Sequence, residues 1–267
     1  MNQSWNNKTA LITGASGGIG AAIALKFASE GMRVILVARR LEKLSELANL
    51  IKSRGGIVYY YAFDLSKSEN RVELVSVVKK DVGIPDILVN NAGIGWYGYF
   101  SKMPWEIAND LLALNIEAPT HLTSLLLSDM LKLKVGRIIN IGSIAGKLPE
   151  QGVALYSASK SYLDSFTTSL FRELRGTRLT TSVLRAGPVK TDFFNHAAEY
   201  KNGSRIPAES LAISAERVAN KTWSLILHPR RYAYIPFYTI LSPLLETFFS
   251  WALDLLGPIL LKYSREP

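Results

Sequence analysis

A glycine-rich turn between a predicted strand and a predicted helix constrains the fold of this chain more than any other feature. The apolar run at 8–12 leads directly into the segment TGASGGIG at 13–20. The following residues have helical spacing, and Gly31 ends the pattern where a left-handed residue suits a helix C-terminus. Glycines permit the tight turn and let backbone N–H groups at the helix N-terminus approach a pyrophosphate. The segment therefore predicts a dinucleotide-binding unit.

The second predicted strand, at 33–37, indicates which dinucleotide is bound. An NAD site usually places an acidic residue about 20 positions after the glycines, whereas an NADP site offers arginine to the 2′-phosphate. This strand is followed by Ala38, Arg39 and Arg40, with no carboxylate at its end. Arg39 can pair with a phosphate through its planar guanidinium, so we expect NADP(H) as the cofactor. The alternative is that the basic pair only ends a strand at the surface.

Further strand-like runs alternate with helical patterns along the chain. They lie at 57–61, 87–89, 138–141 and 181–184. This alternation favours a parallel sheet that is covered by helices on both faces. A chain of 267 residues, of which 48% are apolar, can bury one large core. The expected fold class is α/β, a Rossmann-type doubly wound parallel sheet in a single domain.

Tyr156 and Lys160 lie four residues apart in a predicted helix, so their head groups share one face. A free tyrosine hydroxyl titrates near pH ~10, and a neighbouring ammonium favours the phenolate and lowers this pKa. Such a pair can move a proton near neutral pH. The spacing alone is common, and a solvated lysine beside a half-buried ring is the alternative interpretation.

The motifs taken together resemble those of the short-chain dehydrogenase/reductase family, from about residue 8 to about residue 191. The segment at 13–20 matches the family's glycine loop, and NNAG at 90–93 resembles its central structural motif. Asn115 falls where the family keeps a helix asparagine, and Ser143 falls at its catalytic serine position. Because the motifs also occur in the family's order, the resemblance is specific.

The resemblance implies a role for each member of a catalytic tetrad. Tyr156 would exchange a proton with the reacting oxygen, and Ser143 would hydrogen-bond that oxygen. Lys160 would lower the tyrosine pKa and hold the nicotinamide ribose, and Asn115 would position a water near the lysine. Homodimers or homotetramers are expected, since the family often forms them. The implied cofactor contacts are Gly14, Ser16, Gly18, Ile19, Gly20, Arg39, Asp64, Leu65, Asn91, Ala92, Gly93, Tyr156, Lys160, Gly187, Val189 and Thr191.

One position departs from the family pattern. Family members usually carry Pro-Gly after the sixth strand, but here Ala186 precedes Gly187. Because Gly187 and Thr191 are kept, we expect a change in loop stiffness rather than loss of the nicotinamide contact. Pro188 restores part of the rigidity, since a proline ring fixes its own φ.

Composition narrows the remaining classes of function. The chain has no cysteine, which excludes disulfides and thiolate metal sites and suits a reducing cytoplasm. The three histidines lack ligand spacing, so no metal site is expected, and the N-terminus lacks the features of a secretory signal. The net charge of +9 suits cofactor phosphates, an acidic carrier protein or an anionic lipid surface. No nucleic-acid role is expected, because no basic run is interleaved with aromatic residues.

The segment 192–213 has the composition of a mobile lid over a substrate. Phe193, Phe194 and Tyr200 precede the polar stretch at 201–204. These aromatic side chains predict a hydrophobic substrate, although they could instead pack only on each other. Further apolar walls are expected from Trp96, Tyr97 and Leu148.

An apolar C-terminal extension is expected at 232–267, after a catalytic domain at 1–231. No uncharged run in it reaches the ~18 to 20 residues needed to span a bilayer. Its apolar residues recur at helical spacing, opposite a narrow polar stripe of Glu246, Ser250 and Asp254. The apolar positions are Leu241, Leu244, Leu245, Phe248, Ala252, Leu255, Leu256 and Ile259.

Three candidates could cover the apolar side of this predicted helix, namely the protein's own substrate cleft, a second subunit and a membrane interface. In the third case Arg230, Arg231, Lys262 and Arg265 would meet anionic head groups. The protein would then be cytoplasmic and peripherally attached to the membrane.

The expected function is NADPH-dependent reduction of a carbonyl group in a hydrophobic, lipid-like substrate, with Tyr156 as the general acid. One alternative is a 3-oxoacyl-[acyl-carrier-protein] reductase, which the basic charge would suit. Another is a non-catalytic regulatory protein that senses NADP, against which the complete tetrad argues.

Overall fold

A single parallel sheet organises the computed structural model, which describes residues 5–133, 135–204 and 211–263. Its seven strands lie side by side in the order β3-β2-β1-β4-β5-β6-β7. The strands are β1 Thr9–Thr13, β2 Arg33–Ala38, β3 Val58–Ala62, β4 Ile87–Asn90, β5 Gly136–Ser143, β6 Leu179–Ala186 and β7 Tyr232–Ile235.

Helices connect the strands and cover both faces of the sheet. The helices are α1 Gly18–Ser29, α2 Leu41–Ser53, α3 Ser68–Asp81, α4 Trp105–Leu112, α5 Ala118–Met130, α6 Ala154–Glu173, α7 Phe193–Glu199, α8 Ala215–Leu227 and α9 Ser242–Tyr263. A π-helical segment, Ala113–Glu117, joins α4 to α5. The predicted α/β doubly wound fold is therefore confirmed.

The central strands are buried on both faces, as expected for a parallel sheet. Every residue of β1 and of β4 is buried. Successive side chains of a strand point to opposite faces, so Leu11 packs into one core cluster while Ile12 packs into the other. Helices α1, α2 and α8 contribute to the cluster that contains Ile12, and α3 and α5 contribute to the cluster that contains Leu11.

The strand order reverses at β1, and this reversal locates the functional cleft. Strand β1 pairs with β2 on one side and with β4 on the other, so the chain connections leave it in opposite directions. In open α/β sheets a ligand binds at such a switch point, outside the carboxyl ends of the strands. All seven strands are parallel, so the loops after β1, β4, β5 and β6 meet at this one edge.

The predicted extension at 232–267 begins with a strand of the sheet. Residues Tyr232–Ile235 form β7, which pairs with β6. The edge of β6 provides the hydrogen-bonding partner that stabilises these four residues as a strand. The extension beyond the sheet therefore begins at Pro236.

The extension consists of a 3-10 turn, Phe237–Leu241, and helix α9, whose regular dihedral angles are interrupted at Phe249. Among the residues described, no helix combines the length and apolar character needed to cross a membrane. Residues 205–210 of the predicted lid and Arg265 lie outside the described residues, as do the side chains of Ile259 and Lys262.

Candidate active site

The glycine loop after β1 adopts a conformation that only small residues tolerate. Gly14 and Gly18 have φ angles of +67° and +52°. A Cβ atom at Gly14 would lie 2.9 Å from the Cα atom of Ala92, and a Cβ atom at Gly18 would lie 2.9 Å from Cγ2 of Thr191. The loop therefore packs closely between the segments that follow β4 and β6. Because Gly14 and Gly18 carry no side chain, the loop backbone itself lines the cleft.

The segment after β4 supports this loop through a polar network. The Thr13 hydroxyl accepts hydrogen bonds from the backbone N–H groups of Asn91, at 2.9 Å, and Ala92, at 3.0 Å. The Asn91 side-chain amide donates to the carbonyl oxygen of Thr13 at 2.9 Å. At the end of β4, the side-chain amide of Asn90 donates to the side-chain oxygen of Asn140 in the neighbouring strand β5 at 2.8 Å. The NNAG motif thus fixes the glycine loop against β4 and β4 against β5.

Two arginines, not one, lie at the end of β2. Arg39 lines the cleft as predicted, as does Tyr200 of the predicted lid. Arg40 also lines the cleft, and its Nη2 donates to the Ser16 hydroxyl at 3.1 Å. Sequence reasoning singled out only Arg39 for the phosphate, although the adjacent basic residue was the available signal for the second.

The adenine end of the predicted cofactor site is formed by the loop after β3. Asp64 and Leu65 both line the cleft. One carboxylate oxygen of Asp64 accepts hydrogen bonds from the Ser66 N–H and hydroxyl at 3.1 and 2.8 Å, which fixes the turn. The second oxygen is available to a ligand amine or hydroxyl. Phe63, which sequence reasoning did not select, adds an aromatic face beside them.

Tyr156 and Ser143 meet at the cleft wall. Both side chains line the cleft, and the Ser143 oxygen accepts a hydrogen bond from the Ala145 N–H at 3.1 Å. Burial raises the pKa of Tyr156 to about 12, and the Ser143 side chain opposes this only partly. The phenol is therefore protonated at neutral pH and can donate its proton.

Lys160 is buried next to Tyr156 in the cleft, and burial rather than Lys160 sets the direction in which the tyrosine pKa shifts. Its Nζ atom donates to the carbonyl oxygen of Ile141 at 3.1 Å and lies 5.7 Å from the centroid of the Tyr156 ring. The ammonium thus lies over the face of the Tyr156 ring. Burial also lowers the pKa of Lys160 to about 8, because the charged form loses solvation.

Asn115 lies in the π-helical segment, a local irregularity that is frequent at functional sites. Its side chain is buried and joins two elements of the site. The amide oxygen accepts from the Ile94 N–H at 2.9 Å, and the amide nitrogen donates to the Ile94 carbonyl at 3.0 Å and to the Ser159 hydroxyl at 3.1 Å. Asn115 therefore connects the loop after β4 to the helix that carries Tyr156 and Lys160.

These elements line one cleft of about 1010 Å³. Two predicted residues stand behind its wall: Asn115, as described, and Gly20, where a Cβ atom would lie only 2.3 Å from the Gly14 carbonyl oxygen. The predicted residues that line the cleft are Gly14, Ser16, Gly18, Ile19, Arg39, Asp64, Leu65, Asn91, Ala92, Gly93, Ser143, Tyr156, Lys160, Gly187, Val189 and Thr191.

The cleft fits a phosphorylated dinucleotide. Its glycine wall brings backbone close to the space at the N-terminus of α1, where a pyrophosphate is favoured. At the end of β2 it offers Arg39 and Arg40, whose guanidinium groups suit a further phosphate. Tyr156 and Lys160 line the other part of the same cleft, where the reacting carbon would lie.

The loop after β6 runs past the substrate end of the cleft. Ala186, which replaces the family's proline, pairs with Ser143 of β5 and with Ile235 of β7. Its neighbour Gly187 donates its N–H to the Ile235 carbonyl oxygen at 2.7 Å. Because alanine keeps the backbone donor that proline lacks, the strand pairing can continue to the end of β6.

The described part of the predicted lid packs against Tyr156. The Phe193 ring lies 5.7 Å from the Tyr156 ring, and Phe194 packs edge-on against Phe193. Tyr97 and Leu148 line the cleft as predicted. Trp96 does not line it; the indole is buried, and its N–H donates to the Lys201 carbonyl oxygen at 3.3 Å.

Several cleft residues escaped sequence reasoning because distant segments bring them there. Tyr238 and Thr239 come from the turn after β7, and Leu256 comes from α9. Glu150 also lines the cleft, and desolvation raises the pKa of its carboxyl group. His196 lines the cleft and pairs with Glu199 at 2.8 Å.

A buried ionic network supports the site from behind. Asp164, one turn after Lys160 in α6, accepts from Nε and Nη2 of Arg185 at 2.6 and 2.9 Å. Lys147, in the loop after Ser143, contacts the same carboxylate at 2.7 Å. Arg185 also donates to the Tyr234 hydroxyl at 2.5 Å. The network thus links α6, the loop after Ser143 and the end of β6 to one another and to β7.

Comparisons with known proteins agree with this geometry. A family model described as short chain dehydrogenase matches residues 8–202. The 3-oxoacyl-[acyl-carrier-protein] reductase FabG of Escherichia coli (strain K12) is 32% identical over 219 residues, which cover 81% of this chain and 88% of that protein.

Solved structures show the same fold. A metagenomic short-chain oxidoreductase in complex with NADP is 34% identical, with a TM-score of 0.73 and coverage of 87% of this chain and 97% of that one. A short-chain dehydrogenase from Sphingobium yanoikuyae in complex with NADPH is 26% identical, with a TM-score of 0.79 and coverage of 97% of both chains.

Proposed function

Because the chain belongs to the short chain dehydrogenase family, we propose that it is an NADPH-dependent oxidoreductase that reduces the carbonyl group of a hydrophobic, lipid-like substrate. The observation that carries this proposal is that Tyr156 and Ser143 line one cleft together with the glycine loop and Arg39. This arrangement offers a proton donor within reach of both a substrate and a nucleotide.

The chemistry divides between the cofactor and the chain. NADPH, when bound, supplies the hydride. Tyr156 donates its proton to the substrate oxygen as negative charge develops there, and its raised pKa keeps that proton in place until it is needed. The Ser143 hydroxyl donates a hydrogen bond to the same oxygen, and Lys160 holds a positive charge beside the tyrosine ring.

The preference for NADPH over NADH rests on the end of β2. Arg39 and Arg40 both reach the cleft, and a 2′-phosphate between them would form charge-assisted hydrogen bonds. The solved relatives that bind NADP and NADPH support this preference. Titration of the protein with each cofactor tests it, and tighter binding of NADH than of NADPH would reject it.

A hydrophobic substrate is favoured by the side chains around Tyr156. Phe193, Leu148 and Tyr97 line the cleft there, and Leu211 and Leu256 extend the apolar wall towards the opening. Burial of apolar substrate surface against these side chains would supply binding energy, while Ser143 and Tyr156 fix the carbonyl group.

NADPH oxidation by the purified protein, measured across a panel of carbonyl compounds, tests the proposed activity. The panel runs from small aldehydes and steroids to long-chain 3-ketones and acyl thioesters. Tyr156→Phe is the control, because it removes one hydroxyl and keeps the ring packing against Phe193. Turnover that depends on the Tyr156 hydroxyl and increases with substrate chain length supports the proposal.

The second candidate is a 3-oxoacyl-[acyl-carrier-protein] reductase, favoured by the likeness to the E. coli enzyme of that name. The net charge of +9 would suit an acidic carrier protein. This candidate predicts that a 3-oxoacyl group on carrier protein is reduced far faster than the free ketone of the same chain length. A non-catalytic NADP sensor, the third candidate, predicts tight NADPH binding without turnover of any substrate.

Three further features belong to the proposal. A homodimer or homotetramer, formed through α6 and the helix that follows Asn115, is expected from the family and can be measured by sedimentation. The absence of cysteine suits the cytoplasm. Peripheral membrane contact through the C-terminal extension is supported by its exposed apolar side chains.

A further inference from the structure

The C-terminal extension exposes an unusual density of large apolar side chains. Of the 23 such side chains that are exposed in the described part of the chain, eleven lie between residues 237 and 256. We name these eleven the C-terminal apolar surface. They are Phe237, Tyr238, Ile240, Leu241, Leu244, Leu245, Phe248, Phe249, Trp251, Leu255 and Leu256.

Helix α9 turns its apolar side chains outward rather than towards the domain. Phe248 and Trp251 are 66% and 65% exposed, whereas the polar residues Glu246 and Ser250 are half-buried. On both sides of the break at Phe249 the exposed apolar residues recur three to four positions apart, which groups them on one side of the helix. Within the part of the chain that the structure describes, most of this surface is therefore exposed to solvent.

The surface is continuous with the opening of the active-site cleft. Tyr238 and Leu256 belong to the surface and also line the cleft, and Leu211, which is 66% exposed, lines the cleft beside them. If the C-terminal apolar surface rested on another apolar phase, an apolar molecule could pass from that phase along these residues to Tyr156 without crossing bulk water.

We propose that the C-terminal apolar surface docks on an anionic lipid bilayer and that the hydrophobic substrate enters the cleft from the lipid phase. The route to the cleft rests on the proposed function, whereas the docking does not. An exposed apolar helix with Phe, Trp and Leu on its outer side is typical of helices that lie in the plane of a membrane interface.

Charge favours a lipid bilayer over a second copy of the chain. The protein carries a net charge of +9, so two copies brought together at this surface would repel each other, while an anionic bilayer would attract each of them. Of the residues from 237 to 256 only Glu246 and Asp254 are charged, and both are acidic, so the attraction to an anionic bilayer comes from the positive charge of the rest of the protein.

Position favours the same occupant. A protein partner seated on the surface would cover the opening of the cleft, whereas a bilayer there would be a source of substrate. Arg230 and Arg231, which the sequence suggested as contacts for lipid head groups, precede β7, whose four residues span about 13 Å.

Co-sedimentation with lipid vesicles tests the docking, using the full chain. Vesicles of phosphatidylcholine alone are compared with vesicles that also contain phosphatidylglycerol. Two tryptophans of equal exposure form a matched pair, namely Trp251 on the surface, at 65%, and Trp105 at the start of α4, at 68%. Trp251→Glu should weaken binding to anionic vesicles about tenfold or more, and Trp105→Glu should leave it unchanged.

Sedimentation velocity without lipid distinguishes the competing occupant. If Trp251→Glu leaves vesicle binding unchanged but dissociates an oligomer that Trp105→Glu preserves, a second copy of the chain occupies the surface and the proposal is overturned. If neither variant changes vesicle binding, docking through this surface is also overturned. Unchanged NADPH binding in both variants shows that each is folded.

A kinetic comparison separates the substrate route from the proposed function. A long-chain ketone is supplied either in anionic vesicles or in cyclodextrin. Trp251→Glu should reduce turnover of the vesicle-borne ketone about tenfold while leaving turnover from cyclodextrin unchanged. Equal losses in both would overturn the lipid route. Vesicle binding without turnover of any ketone would refute the proposed function and leave the docking supported.

Discussion

The buried carboxylate of Asp164 provides the sharpest prediction about stability. The exposed fractions of Asp164 and Arg185 are only 4% and 7%, and two hydrogen bonds of 2.6 and 2.9 Å join them. Lys147 adds a second cation at 2.7 Å. Asp164→Asn keeps the size of the side chain but removes the charge that compensates both cations.

The size of the effect follows from what remains after the substitution. Removing one partner of a buried ion pair costs about 3 to 5 kcal/mol, because it leaves an uncompensated charge. Arg185 would keep its contacts with the faces of Tyr232 and Tyr234, at 4.2 and 4.9 Å, and Lys147 is partly exposed. We therefore expect the lower end, a loss of about 3 kcal/mol in the free energy of unfolding.

Urea unfolding at fixed protein concentration measures this loss. With a slope of about 3 kcal/mol per molar, the midpoint should fall by about 1 M. Glu46→Gln is the matched control, because it breaks an exposed Lys43–Glu46 pair and should change the free energy of unfolding by less than about 0.5 kcal/mol. If Asp164→Asn shifts the midpoint no more than Glu46→Gln does, the network does not stabilise the fold and the reasoning is refuted.

Three further predictions concern the cofactor site and the tetrad. Arg39→Glu should raise the dissociation constant of NADPH about tenfold or more and change that of NADH less, as cofactor titration would show; an equal change for both would contradict the phosphate role. The rate of carbonyl reduction should fall as pH rises through about 8, because Lys160 is charged only below its lowered pKa, while Tyr156, with a pKa of about 12, keeps its proton there. A pH profile that is flat from 7 to 9.5 would contradict this assignment. Gly18→Ala should lower the melting temperature and weaken NADPH binding, since its φ of +52° and the Thr191 methyl group 2.9 Å from the new Cβ atom cost about 1 to 3 kcal/mol; unchanged values would show that the loop relaxes freely.

The parts of the fold that local sequence determines could be predicted. The glycines at 13–20 are required by the local backbone conformation of the turn. The strand, the loop and the helix could therefore be predicted from the sequence alone. Strand β7 was missed because its four residues become a strand only where the edge of β6 offers hydrogen bonds. Tertiary context, rather than intrinsic preference, decides such a segment.

The sequence offered candidate residues for the site but not their arrangement. The spacing of Tyr156 and Lys160 predicted a shared helix face, and both line the cleft, yet the spacing did not show that the ammonium would turn to the Ile141 carbonyl oxygen. That choice depends on burial, which leaves the ammonium in need of an acceptor. The sequence did not single out Arg40 for a similar reason. Its contact with Ser16 joins residues 24 positions apart, which only the folded chain brings together.

The amphipathic pattern of α9 was visible in the sequence, but the direction in which its apolar side faces was not. Periodicity shows that a helix has an apolar side and says nothing about what covers it. The structure turns Phe248 and Trp251 outward and brings Leu256 to the cleft, and this orientation is the basis for the proposed docking on lipid.

The most direct test of the central claim is NADPH oxidation with a long-chain ketone, measured for the natural protein and for Tyr156→Phe at matched cofactor saturation. We predict turnover in the natural protein and a loss of nearly all of it, by a factor of about 100 or more, in the variant, with NADPH affinity unchanged. Comparable turnover in both would contradict Tyr156 as the proton donor, and with it the proposed mechanism.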